Sequence, residues 1–261
     1  MNIIVCIKQV PDTTSVKLDP ETRTLIREGV PSIINPFDMY AIEEGLRLKE
    51  KHGGAVTAIT MGPPQADSAL REAISLGVDE AVHLCDAAFK GSDTLATSYI
   101  LAAGIRKLGA FDLILCGKQA SDGDTAQVGP GIAMQLDLPQ VVFVRKILEL
   151  KDGRLTVERM MEEGYDVVEL PLPALLTVTK EINEPRLPSL KGKMRAKKAA
   201  LRTMSAAEIG ADPARIGLEG SPTWVEKVFT PPHRGTGTVW KGEAEELVAR
   251  LVAEIEKFKL G

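Results

Sequence analysis

The sequence predicts an α/β fold on a mostly parallel, doubly wound sheet, with a β-hairpin addition and an extended C-terminal arm ending in a helix. Three observations carry that expectation. Up to Pro139, short apolar runs alternate with segments of helical period, the pattern of right-handed βαβ crossovers. The first run, Ile3 to Ile7, is continuous in apolar residues, as in a strand buried on both faces. Small residues and turn formers follow several of these runs, where open α/β sheets bind ligands beyond their strand ends.

The elements follow in order. Lys8 to Thr13 ends the first strand, since Pro11 cannot donate to a ladder. Val16-Lys17-Leu18 and Thr24-Leu25-Ile26 pair as a small hairpin across Asp19-Pro20-Glu21. Asn35-Pro36-Phe37-Asp38 starts a helix: asparagine caps, proline takes the first helical position and Asp38 adds negative charge to the first turn. Ile42 and Leu46 mark its apolar stripe, which ends near Gly53-Gly54. Ala55 to Met61 is a strand, and Gly62 turns into a helix of period three and four that ends at Gly77. Glu80 to Leu84 is another strand. The helix from Asp93 to Leu108 places Leu95, Tyr99, Ala102 and Ala103 on one face.

Phe111 to Cys116 forms a further buried strand, and the loop after it, Gly117 to Pro130, is the centre of the functional reading. A strand–loop–helix junction presents unpaired N–H groups and a positive dipole end, which suits phosphate. An ordinary connection, glycine for the turn and Asp124 or Thr125 as N-cap, explains the same residues. Pro130 favours a helix start near Gln127 over a helix from Thr125 that would be kinked, because deeper in a helix its missing N–H breaks an internal bond.

Beyond Pro139, Lys151-Asp152-Gly153 joins two strands as a hairpin. Tyr165 to Leu170 and Ala174 to Thr179 read as two more strands. Asn183 to Lys198 is proline-marked and basic: the charge run Lys191 to Lys198 is what a solvated helix face shows, while Leu187 and Leu190 on an exposed loop suggest a docking knob. Residues 203–240 are poor in periodicity and rich in glycine and proline, including Ser221-Pro222, Phe229-Thr230-Pro231-Pro232 and Arg234-Gly235. They read as an arm lying over another surface. The helix from Glu243 to Phe258 would dock through Leu247, Leu251 and Ile255. The domain reading is therefore residues 1–200 as an α/β nucleotide-binding domain carrying the 183–198 loop, and residues 201–261 as arm and helix.

Composition narrows the function. With 261 residues, 44% hydrophobic and 26% charged, the chain can bury a core. A net charge of −4 and 4% aromatics draw in neither nucleic acid nor an anionic membrane. Cys6, Cys85 and Cys116 lie in or beside apolar runs with no disulfide or zinc spacing, which fits a reducing, cytoplasmic compartment. The start has no basic n-region and is too short to span a membrane. His52, His83 and His233 lack metal-ligand spacing, and Asp122 with Asp124 read as caps or amide and ribose acceptors. There is no Gly-x-Ser-x-Gly elbow, phosphate-binding P-loop or Gly-x-Gly-x-x-Gly fingerprint. The absence of a self-contained catalytic set points to a binding or carrier subunit.

Four stretches together resemble the β subunits of electron transfer flavoproteins. They are Val5 to Asp12; Asn35-Pro36-Phe37-Asp38 with Ala41 to Glu44; Gly117 to Ala120 with Asp122-Gly123-Asp124 and Gln127; and Asn183 to Arg186 with Met194 to Lys198. The resemblance implies a fold of the adenine-nucleotide α-hydrolase type and a heterodimer with an α subunit that carries FAD. It implies that the C-terminal arm wraps that subunit. It also implies that Leu190, with Leu187 and Met194 beside it, docks on a flavin dehydrogenase such as an acyl-CoA dehydrogenase.

The loop and the Val10 to Thr13 segment resemble the electron-bifurcating branch, in which the β site holds a second FAD that takes a hydride from NADH. In the simple carriers the same site holds AMP as a structural ligand. The implied site is Cys6, Asn35, Pro36, Phe37, Asp38, Met61 and Gly62, with Asp122, Gly123, Asp124, Thr125, Gln127, Val128 and Gly129 around the phosphates. Asp12 is placed to touch an isoalloxazine or nicotinamide. NADH oxidation follows only on the FAD reading; a nucleotide-binding module without redox role is the remaining alternative.

Overall fold

The computed structural model describes residues 1–12, 17–18, 25–26, 31–224, 226 and 237–257. It divides into two compact units, Met1–Val225 and Glu226–Gly261. The first unit opens with β1 (Asn2–Cys6), β2 (Gln9–Pro11), β3 (Lys17–Leu18), β4 (Leu25–Ile26) and β5 (Ser32–Ile34). Helices and strands then alternate: α1 (Pro36–His52), β6 (Ala55–Met61), α2 (Asp67–Leu76), β7 (Glu80–Leu84), α3 (Thr94–Leu108), β8 (Leu113–Gly117) and α4 (Val128–Leu136). After these come β9 (Gln140–Lys151), β10 (Arg154–Met160), β11 (Tyr165–Pro171), β12 (Ala174–Val178), α5 (Leu190–Lys198), β13 (Arg202–Met204) and α6 (Ala206–Ile209). The second unit holds α7 (Ala244–Lys257).

One nine-stranded sheet runs β11-β10-β9-β12-β8-β1-β6-β7-β13. Its strands pair in parallel except for the β9–β10–β11 meander, the added hairpin and its extension. Because successive side chains point to opposite faces, the apolar run of β1 serves two cores. Ile3 and Val5 pack with Ile42 and Leu46 of α1 and Leu70 and Ile74 of α2. Ile4 and Cys6 pack with Ile100 and Ile105 of α3 and with Ile132 and Ala133 of α4. A strand buried on both sides cannot alternate with polar residues, which is why the run is continuous. From β1 the chain moves outward through β6 and β7, then returns to lay β8 on the other side of β1. The crevice of the fold therefore lies between the ends of β1 and β8.

Several expectations need correction. Leu95 does not join Tyr99 in the core: it is 52% exposed, in the first turn of α3 beside the cleft mouth. The basic stretch from Leu190 is a helix, α5, with Ser189 accepting from the Gly192 N–H as its N-cap. The start of the arm packs on the domain itself: Arg202–Met204 adds a parallel edge strand to β7, and the first unit runs to Val225. Of the small hairpin, Lys17 pairs with Ile26 and Leu18 with Leu25. Its turn, with Val16 and Thr24, lies outside the described residues, as do Thr13, Phe258 and the Phe229 to Gly235 motifs. In the second unit Val248, Leu251, Val252 and Ile255 of α7 are exposed, and Arg250 stacks 4.7 Å from the Trp240 ring centroid.

Gly129 lies in the first turn of α4, where an added Cβ would sit 2.6 Å from the Thr177 methyl of β12. Around Gly123 no atom lies within 4 Å of such a Cβ. Gly129→Ala is expected to destabilise the chain by about 1–3 kcal/mol through overpacking. Gly123→Ala should stay within about 0.5 kcal/mol of the parent. Chemical denaturation midpoints of the two variants check both.

Candidate functional site

The ends of β1, β6 and β8 open into a cleft of about 530 Å³, walled by the first turns of α3 and α4 and by the loop after β8. Its floor includes Cys6 and Cys116, which face each other on adjacent parallel strands. The hydrogen bond with Cys6, then burial, hold the Cys116 thiol well above its usual range. It is a neutral, unreactive surface.

The loop owes its position to Asn35. Its side-chain amide donates to the Gln119 carbonyl at 2.8 Å and to Asp38 Oδ1 at 2.9 Å, and its Oδ1 accepts from the Ser121 N–H at 3.0 Å. This corrects the expected side-chain cap, for Asn35 makes no such bond to α1. Pro36 has no N–H to cap, and the Asp38 N–H goes to the backbone carbonyl of Asn35 at 2.9 Å. The side chain is thus free to hold the loop.

Asp38, also buried, accepts from the Lys8 N–H at 2.7 Å and from the Gly117 N–H. Its carboxyl is pushed up to about 7 because burial outweighs the bonds from Asn35, Lys8 and Gly117 and the Lys8 charge. Gly117 has to be glycine here. A Cβ would lie 2.3 Å from Asp38 Oδ1 and 2.6 Å from the Phe37 carbonyl carbon.

The two helices at the cleft are capped differently. Asp93 caps α3, accepting from the Leu95 and Ala96 N–H groups at 2.9 and 3.0 Å, and it also takes the Thr223 N–H and hydroxyl. At α4 the N-cap residue is Gln127, which makes no side-chain cap bond. Its first amides therefore have no partner inside the helix. Pro130 lies in that first turn, as its chemistry requires. Ahead of α4, Asp124 and Ala126 hold φ of 57° and 55°, left-handed geometry that costs a non-glycine residue about 1–2 kcal/mol. The Asp124 N–H donates to Ala120 O at 2.9 Å and Gln119 Nε2 bonds the Asp124 carboxylate, fixing that geometry.

Of the residues singled out in the sequence, Cys6, Asn35, Asp38, Met61, Gly123, Asp124, Thr125, Gln127, Val128 and Gly129 line the cleft. Pro36, Phe37, Gly62, Asp122 and Asp12 stand outside its lining. Asp122 pairs with Lys8 Nζ at 2.7 Å, Gly62 O accepts from His83 Nε2 at 3.0 Å, and the Asp12 N–H donates to Pro31 O at 2.8 Å.

Sequence reading missed Ser92, Thr94 and Thr97 from the start of α3, and Lys118. The cap motif at Asp93 was the signal for the first three. For Lys118 it was the Gly117 to Ala120 stretch, which places the residue in the loop without singling out its charge. Its ammonium lies 5.4 Å from the ring of Phe143, which a bulge in β9 holds at φ 61°. Lys8 is committed to Asp122, which leaves Lys118 as the cleft-lining cation without a carboxylate in contact among the described residues.

Away from the cleft, Leu187 just before α5 and Leu190 and Met194 on it are 89%, 77% and 56% exposed. Among the described residues, no helix is long and apolar enough to cross a membrane.

The family model described as the electron transfer flavoprotein domain matches residues 22–209. The electron transfer flavoprotein subunit beta of Thermoanaerobacterium thermosaccharolyticum is 52% identical over 98% of both chains. That of Megasphaera elsdenii is 48% identical over 97% of this chain and 99% of its own. The caffeyl-CoA reductase-Etf complex subunit CarD of Acetobacterium woodii is 48% identical over 98% of both chains.

Asp38 gives the site a pH signature. Its folded value of about 7 lies above the ordinary 3.8, so between the two the folded chain holds a proton that the unfolded chain has lost. Stability must then fall as pH rises through that window. The stability of the parent minus that of Asp38→Asn should shrink by roughly 2–4 kcal/mol between pH 4 and pH 8. Urea titrations at both ends measure it; a difference that does not change with pH contradicts the assignment.

Proposed function

The chain belongs to the electron transfer flavoprotein family as a β subunit, and from that premise we propose that its cleft binds FAD. In this reading it works in the cytoplasm as part of a heterodimer with the α subunit. Electrons from NADH reach the FAD of that subunit and pass to a flavin dehydrogenase of the acyl-CoA type. The name of the CarD relative, which sets it in a complex with a CoA-thioester reductase, supports that class of partner.

The observation that carries the reading is the uncapped start of α4 behind a pinned, left-handed loop. Amides that lack an internal partner, on a helix with its positive end toward a cleft, match a nucleotide's phosphates. The open space at Gly123 lets a ligand approach the backbone closely, since nothing in the chain fills it. Lys118 adds positive charge beside the phosphates. Cys6, Met61, Leu101 and Cys116 offer the apolar surface a purine or flavin ring needs.

When bound, FAD supplies the redox chemistry. The chain's part is to bind, orient and exclude water. Val128 and Gly129 donate backbone N–H groups, Asn35 keeps the loop in place, and Asp38 keeps the floor closed. In this proposal the apolar side of α7 meets the α subunit. Leu187, Leu190 and Met194 meet the dehydrogenase.

The test is to purify the heterodimer, denature it and identify the released nucleotides. Two FAD per heterodimer are expected. One FAD with one AMP overturns the β-site FAD and makes the chain a carrier subunit with a structural nucleotide. No nucleotide beyond the α-subunit FAD overturns the cleft assignment itself.

A further inference from the structure

We propose that Arg186 is a positioning residue, whose guanidinium bridges Glu43 and Glu50 of α1 and so sets the ridge of Leu187, Leu190 and Met194 for docking. The inference rests on the reading of that ridge as the surface that meets a dehydrogenase. Three large apolar side chains standing in water are an unusual feature of a soluble surface. To serve as one docking surface they have to be held in register, and the structure holds them from both sides.

On the N-terminal side the clamp is ionic. Arg186 Nε donates to Glu43 Oε2 at 2.7 Å and Nη1 to Glu50 Oε1 at 2.5 Å, while Nη2 reaches both carboxylates at 3.2 and 3.1 Å. The Arg186 N–H also donates to Glu43, at 3.2 Å. Asn183 donates to Tyr40 O and to Glu44, both at 3.0 Å, and Arg47 reaches Glu184 O at 3.2 Å. Leu187 is the next residue after the guanidinium's own. Pro185 and Pro188 on either side fix φ and leave little other freedom.

On the C-terminal side the hold is to backbone. Arg195 donates to the Ile74 and Val78 carbonyls at the end of α2, at 2.8 and 2.5 Å. Gly192 lies so close to α2 that a Cβ would sit 2.0 Å from Ser75 O. The ridge thus spans two anchorages with its side chains free.

Only arginine closes the N-terminal clamp. A planar fork can satisfy a buried carboxylate and an exposed one at once, whereas a lysine ammonium is a single point. Glu43 is almost fully buried and Glu50 is exposed, so the pair fixes the direction of the guanidinium as well as its distance. A surface ordered before contact loses less freedom on binding. Arg186 therefore acts on affinity for the partner rather than on electron transfer within the heterodimer.

The experiment uses the intact heterodimer as electron acceptor for a purified short-chain acyl-CoA dehydrogenase, with variants R186K, L190A and R186K/L190A. R186K is expected to raise KM for the heterodimer about ten-fold with kcat within about two-fold, leaving nucleotide content unchanged. In the L190A background R186K should add less than about two-fold, because the arginine works through the ridge. An unchanged KM in R186K beside a raised KM in L190A overturns the positioning role alone. An unchanged KM in L190A overturns the docking reading beneath it. A full ten-fold effect of R186K on top of L190A shows independent contact and overturns the inference. If R186K fails to fold, E50Q removes only the exposed half of the clamp; about a three-fold rise in KM is expected, and no change overturns the proposal.

Discussion

Two buried polar side chains at the start of α1, Asn35 and Asp38, hold the functional end of this molecule together. Between them they bond the loop after β1, through Lys8, and the loop after β8, through Gly117, Gln119 and Ser121. The Asn35–Asp38 bond is buried, and the bonds to the two loops are partly shielded from water. Losing one partner leaves the other unsatisfied at a cost of about 1–3 kcal/mol. The pair also explains residues that look incidental, such as the bare Gly117 beneath Phe37 and Asp38. A carboxyl kept near neutral pH by burial is the strain this arrangement carries.

Capping divides the labour between the two helices at the cleft. Asp93 gives α3 a built-in anion, so that helix end is complete. Gln127 gives α4 none, so its first amides have no partner inside the helix. The same economy appears along α1. The residues at its start pin the loop after β8, while Glu43, Glu44 and Glu50 further along hold the segment that carries the exposed leucines. One helix thus fixes both a binding cleft and a protruding ridge to a single rigid sheet.

Much of this was legible in the sequence, for stated physical reasons. Parallel strands buried on both faces leave continuous apolar runs, and Ile3 to Ile7 announced β1 and the sheet around it. Pro130 fixed the start of α4, because its missing N–H can sit only in a first turn. Other features were not legible, since they depend on partners distant in sequence. Asn35 before Pro36 has the local signature of a cap, and only the arrival of residues 119–121 gives its side chain another task. Lys118 lies in a loop the sequence singles out, but the Phe143 ring beside its ammonium comes from a bulge in β9, distant in the chain. The charge run after Ser189 suggests a solvated helix face, but its packing against α2 through Arg195 and Gly192 was not legible. Arg202–Met204 is too short for strand periodicity and becomes a strand only beside β7.

The central claim is that a loop held by Asn35 is what retains a nucleotide in this subunit. The most direct measurement is the nucleotide content of the purified heterodimer carrying Asn35→Ala, compared with the parent. With unchanged far-UV circular dichroism and unchanged pairing with the α subunit, the account predicts that the α-subunit FAD stays and that the nucleotide of the β cleft is lost. A variant that keeps a full complement in both sites contradicts it.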